Sequence, residues 1–247
     1  MSLVIRLLAL CLVVSCIWTP AWSSYPSPVD VASAVSKGYK GFLSFKSEIT
    51  FAPPFDKWKI IYWQEQDRRR IEFLHQDKNA TLYLLTIDKK GAGYIYPVIG
   101  RLPQMFYSLK DFVSPYVGWR EMGIDLSREK YQFFEHRPVI VFGDGPLSAS
   151  IFIDIEQMVP LKKTYPGGRE VIFRDFVDEG NYLLPSSFEI DIPGSQPLMG
   201  RISWISINEK FPPDTFSLPS SLNIPPLTST LYGELMTLLR YFSLEPK

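Results

Sequence analysis

Apolar and polar side chains alternate at every second residue along most of this chain. Leu43, Phe45, Ile49 and Phe51 fall on one side of a run and Ser44, Lys46, Glu48 and Thr50 on the other, the period of a strand with one covered and one wet face. After the break at Pro53 and Pro54 the rhythm predicts strands at 58–65, 69–75, 81–87 and 94–99. Short polar turns such as Gln66-Asp67 and the run from Lys89 to Gly93 join them. The rhythm resumes at 131–136 and 139–142, passes a turn at Gly143 to Gly145, and continues from Ile151 to Pro219. The total is about ten or eleven strands, within the range of one curled or barrel-like antiparallel sheet.

Three segments break the pattern. Ser27 can cap a helix whose first turn holds Pro28 and Asp30 and which Gly38 can end. Met105, Leu109, Phe112, Val113 and Tyr116 fall at helical spacing with Ser108, Lys110 and Asp111 opposite, which predicts an amphipathic helix inserted in the meander. Beyond a connector stiffened by Pro219, Pro225 and Pro226, residues Leu231, Leu235, Met236, Leu238, Leu239 and Phe242 mark a further amphipathic helix. Its only strong cation is Arg240, so docking on the parent sheet is expected ahead of membrane contact.

The strand at 58–65 is apolar on both faces, since Trp58, Ile60 and Tyr62 alternate with Ile61 and Trp63. A sheet open to water on one side would not carry that load, so a second cover is needed. The predicted helices are the natural covers, and helices over a curved sheet enclose an apolar concavity. Two outcomes remain open: side chains fill that space, or it is a hollow that takes a ligand.

At the N-terminus, Arg6 precedes the apolar run from Leu7 to Val14 and an Ala21-Trp22-Ser23 site, the layout of an export signal over residues 1–23. The sequence Val13 to Cys16 also resembles the bacterial lipobox, so two processing routes stand: cleavage after Ser23 to give a soluble exported protein, or lipidation of Cys16 to give a membrane-anchored one. Both cysteines, Cys11 and Cys16, lie in this leader, which removes disulfides and thiol chemistry from the folded part. The predicted organisation is a leader, one β domain over 24–219, and a connector with a helix over 220–247.

With 26 basic and 26 acidic residues the formal charge is zero, and no nucleic-acid stripe is implied. The local cluster Arg68 to Arg70 reads as a strand edge or turn. Catalytic signals are weak. His75 and His136 each fall within an apparent strand, where a histidine reads as a surface or edge residue, and no Gly-x-Ser-x-Gly elbow exists. Asp154, Glu156, Asp175, Asp178 and Glu179 read as solvent-facing strand positions and turns, not as a glycosidase pair or calcium site. No enzyme, metal site or cofactor is predicted.

The order of elements carries a resemblance. A strand ends in Asp154, a turn runs from Pro160 to Lys162, Phe173 to Phe176 follows, Asn181 to Pro185 opens a strand with Phe188 to Ile190, and Pro213 to Pro219 closes the segment. With the export signal and the mid-chain helix, this resembles the periplasmic lipoprotein carrier (LolA-like) and outer-membrane lipoprotein-sorting family, from about Val29 to Pro219. The resemblance implies a mainly β fold, an incomplete antiparallel barrel with helices over its concave face, located in the periplasm. It implies non-catalytic binding of lipid or lipoprotein acyl chains, and partners in the inner- or outer-membrane lipoprotein machinery. Candidate cavity and lid residues are Trp58, Ile60, Tyr62, Trp63, Phe73, Phe106, Leu109, Phe112, Phe173 and Trp204, with the helix bearing Phe106, Leu109 and Phe112 as the moving part. Arg69 or Arg70 is similar in position to the carrier's functional arginine. The tail helix and the stretch from Gly118 to Lys130 depart from the family pattern. The competing reading is an envelope interaction module with a filled core, which uses its surface or tail helix to bind a protein partner.

Overall fold

Among the described residues the alternating segments are twelve strands hydrogen-bonded into one antiparallel sheet. The computed structural model describes residues 26–78, 80–88, 93–96, 103–143, 148–218 and 227–242. The leader with Cys16 and the connector with Pro219, Pro225 and Pro226 lie outside them.

Strands β1 (Ser44–Phe51), β2 (Trp58–Glu65), β3 (Arg68–His75), β4 (Ala80–Ile87) and β5 (Gly93–Tyr96) form a first meander. A second consists of β6 (Glu129–Phe134), β7 (Arg137–Gly143), β8 (Ser150–Asp154), β9 (Pro160–Thr164), β10 (Glu170–Glu179), β11 (Tyr182–Asp191) and β12 (Leu198–Ile207). The two join where β1 pairs with β12, Phe45 opposite Ile207 and Phe51 opposite Gly200, leaving β5 and β6 as unpaired edges. The sheet is an incomplete barrel, as expected, with one strand more than the upper count from the sequence. Gly200 is required where it stands, since a Cβ there would meet the Phe188 ring and the Thr50 carbonyl oxygen at 2.5 Å.

Among the described residues four α-helices cover the inner face. Helix α1 (Pro28–Gly38) starts at a capping box in which Ser27 Oγ accepts from Asp30 N (3.2 Å) and Asp30 Oδ2 accepts from Ser27 N (3.0 Å). Helix α2 (Leu109–Val113) and helix α3 (Pro115–Glu121) follow the first meander, and α1, α2 and α3 pack on one another. Helix α4 (Ser229–Tyr241) is capped by Thr228. The single helix expected from Met105 is two short ones. Asp111 Oδ2 accepts from Ser108 N (2.7 Å) and Ser108 Oγ (3.0 Å), which fixes the start at Leu109, and Pro115 begins a new helix because it has no N–H to continue the old one. Val113, expected on the buried stripe, is exposed.

Most buried side chains form one cluster between sheet and helices, and the buried face of α4 belongs to it. A smaller cluster of Val139, Val141, Val159 and Leu161, with Phe134, Phe152, Phe176 and Leu183 against it, sits apart from the main one. Near β3 the sheet is crossed by the segment after β12, where Arg70 Nη1 donates to the Thr215 carbonyl (2.9 Å) and Phe216 is buried beneath the Arg68 guanidinium. The apolar load on both faces of the sheet therefore has two covers. Among the described residues no helix is long and apolar enough to cross a membrane.

Candidate functional site

Pleating decides which aromatics meet. Along β2 the side chains of Trp58, Ile60, Tyr62 and Gln64 turn inward together, and Phe73 of β3, opposite Ile60, joins them. Trp204 of β12 lies 5.3 Å from Phe45, ring centre to ring centre, and Phe173 of β10 lies 5.9 Å from Phe106. Nine of the ten residues expected at a hollow, namely Trp58, Ile60, Tyr62, Phe73, Phe106, Leu109, Phe112, Phe173 and Trp204, share the inner cluster. The tenth does not. Trp63 points to the outer face, as alternation with Tyr62 and Gln64 requires, and lies under Lys46 Nζ (5.2 Å) and the Arg70 guanidinium (5.6 Å).

The arginines separate in the same way. Arg70 is on the outer face, where its Nε donates to Glu72 Oε1 (2.7 Å) and its Nη1 to the Thr215 and Ser217 carbonyls after β12. Arg69 turns to the inner side. With Gln64, Asp67, Gln104, Ser108, Asp111 and Lys163 it lines a cavity of about 290 Å³ at the edge of the cover. Charged and amide groups make up much of that lining, so it is a polar notch and not an acyl-chain tunnel.

A buried polar seam ties the segment 105–113 to the sheet. Lys163 of β9, 1% exposed, donates from Nζ to Asp111 Oδ1 (2.5 Å) and to the Phe106 carbonyl (3.1 Å). Gln64 Oε1 accepts from Tyr62 Oη (2.7 Å) and from Leu109 N (3.0 Å). Tyr107 Oη and Ser47 Oγ share a hydrogen at 2.8 Å. Burial pushes the Tyr62 and Tyr107 hydroxyls well above the ordinary tyrosine range, against the opposing effects of Arg69 on Tyr62 and of the Ser47 hydrogen bond on Tyr107. The seam makes the expected moving helix one of the better anchored parts of the cover.

Helix α4 occupies the far side of the inner face. Leu235, Leu238 and Phe242 are fully buried, and Phe242 sits 6.2 Å from Phe51, 5.8 Å from Phe73 and 5.9 Å from Phe106. Trp58 Nε1 donates to Glu234 Oε2 (3.1 Å), while the His75 ring stands edge-on to Trp58 with Nε2 3.9 Å from the same carboxylate oxygen. His75 is thus buried on the inner face, where a surface or edge residue was expected. His136 is exposed, in the turn after β6. At the C-terminal end of α4, Arg169 Nη1 donates to the Tyr241 carbonyl (3.1 Å) and the guanidinium lies 3.9 Å over the Tyr165 ring. Burial lowers the Arg169 pKa from its usual value, with Tyr165 opposing.

Lys163, Arg169, Glu234 and Tyr107 were absent from the sequence-derived site. Lys163 was within reach of pattern reasoning, because it sits opposite Ile151 and Val171 in the ladder and both face inward. Arg169, in the turn before β10, gave no such signal.

Among the described residues no cluster of three or more His, Cys, Asp or Glu side chains is placed to hold a metal. The site is therefore an apolar inner face with a polar seam, closed by two separate helical covers. No family model and no curated protein matches the chain. Among solved structures, the chain is similar in fold to a LolA superfamily protein from Nitrosomonas europaea, at 9% identity over 76% of this chain and 97% of that one, with a TM-score of 0.47. It is also similar to a DUF1329 family protein from Desulfovibrio piger, at 8% identity over 74% of this chain and 93% of that one, with a TM-score of 0.44. Both likenesses concern the fold alone.

Proposed function

We propose that this protein binds the acyl chains of lipids or lipoproteins on the inner face of its open sheet, as an exported, non-catalytic carrier in the periplasm. One observation carries the reading. The apolar inner face is closed by helices and not by a second sheet, so it can be uncovered without breaking the strand ladder. An acyl chain needs no hydrogen bonds from its site, and each methylene moved out of water contributes about 0.8 kcal/mol. An aromatic-rich wall such as Phe45, Trp58, Phe73, Phe106 and Trp204 suits such a ligand. The inner face is closed, with its aromatic rings in mutual contact.

A second reading rests on that closure. If the rings pack this way permanently, the fold serves as an envelope interaction module that binds a protein partner through its surface. Native mass spectrometry of the protein purified from an expressing envelope separates the two. Carriage predicts co-purifying adducts whose fragments are acyl chains, and a bare polypeptide mass from several lipid-rich preparations would sink it.

A further inference from the structure

The two helical covers are fastened in different ways. Segment 105–113 is held by the buried Lys163–Asp111 pair and by Gln64. Helix α4 is held by an apolar stripe, Leu231, Leu235, Leu238 and Leu239, ending in Phe242, while its other face, with Tyr232, Thr237 and Arg240, is in water. Its polar ties gather at two points: Glu234, which accepts from Trp58 Nε1 (3.1 Å) and stands 3.9 Å from His75 Nε2, and the C-terminal end, where Tyr241 Oη donates to the Gln196 carbonyl (2.7 Å) and the Phe242 carbonyl accepts from Gln104 N (2.7 Å). This is an amphipathic helix laid in a groove, the arrangement by which many proteins bind a separate helical ligand.

The end of the groove carries a different chemistry. There Arg169, 6% exposed, donates from its guanidinium to the Tyr241 carbonyl at the end of α4 (3.1 Å). A helix C-terminus bears a partial negative charge of about half an elementary unit. The occupant is thus apolar along its length and negative at its tip, and the groove matches it with aromatic walls and one buried arginine. A long acyl chain that ends in a carboxylate or phosphate has the same distribution, and Arg suits either group.

We infer that the groove under α4, walled by Phe51, Phe55, Trp58, Phe73 and Phe106 and ended by Arg169, is the acyl-chain site, with α4 as an internal occupant that an anionic amphiphile displaces. This rests on the acyl-binding reading above and assigns its location, its head-group contact and its gate. The element that moves is then the C-terminal helix, and segment 105–113 stays in place.

Hydrogen exchange on the intact protein, with and without oleate, tests it. Oleate should bind and raise the exchange of amides in 229–242 at least tenfold while those of β1 to β3 stay protected. Oleyl alcohol, which lacks the charge, should bind at least tenfold more weakly, and Arg169→Gln should erase that difference. Binding of oleate with 229–242 still protected would overturn the site and leave acyl binding standing. No binding of either probe would overturn both. Because Arg169 is buried and its variant can fail to fold, the comparison of the two probes on the unaltered protein decides the head-group claim by itself.

Discussion

Phe242 and Phe106 face each other with ring centres 5.9 Å apart, the one ending the last helix and the other preceding the helices inserted between the two meanders. Through this pair the two covers of the inner face meet. Phe242 is fully buried and also touches Phe51 and Phe73. Phe242→Ala should therefore lower the unfolding free energy by about 3–5 kcal/mol, read from urea denaturation, while Phe242→Leu should cost about 1.5 kcal/mol or less. Equal, small effects would mean that α4 is only loosely seated.

The Lys163–Asp111 pair gives an asymmetric expectation. Asp111→Ala leaves a buried ammonium with no carboxylate partner, facing the Phe106 carbonyl and the Phe173 ring, and should cost roughly 3–5 kcal/mol. Replacing both groups, as Lys163→Met with Asp111→Leu, should recover much of that loss. A double-mutant cycle in urea measures the coupling, and an additive result would show that the pair does not anchor the segment.

Buried tyrosines set a limit at alkaline pH. The hydroxyls of Tyr62 and Tyr107 are pushed up chiefly by burial, so the folded state favours their neutral form beyond the point, about pH 10, at which an unfolded chain ionises. The stability they contribute is full below that pH and is lost as pH rises through it towards the folded values. Urea midpoints should change little up to about pH 9 and fall steeply by about pH 11. Tyrosinate absorbance of these two rings should appear only with unfolding, and an early, complete titration of all tyrosines in the folded protein would contradict this.

The two tryptophans of β2 should behave oppositely. Trp58→Ala removes a fully buried ring and its bond to Glu234, and should cost about 3–5 kcal/mol. Trp63→Ala removes a partly exposed ring held under two cations, each such contact contributing about 0.5–1 kcal/mol, and should cost far less. Thermal denaturation of both variants is sufficient to rank them.

That contrast also shows how far the sequence could be read. A period of two was legible wherever one face was wet, as along β1, and it located the first meander nearly strand by strand. It could not say which face of β2 was inner, because both are apolar; the reason lies far along the chain, where Phe216 and the Arg70 contacts cover the outer side. The helix from Met105 failed for a local reason: spacing alone carried it across two boundary signals that the sequence also displays, the Ser108–Asp111 cap that starts a helix at Leu109 and Pro115 that starts another. Docking of the tail helix on the sheet was legible from its stripe. Its place beside Arg169 was not, since a single arginine in a turn has no period to betray it.

The central claim is that an acyl chain lies against the inner face, and tryptophan quenching tests it most directly. Variants that keep Trp58 or Trp63 as the only tryptophan of the folded part would be titrated with a brominated fatty acid, whose bromine quenches an indole it touches. The account predicts strong, saturable quenching of Trp58 and little of Trp63, which lies on the opposite face of the same strand. Saturable binding with Trp63 quenched and Trp58 untouched would contradict it.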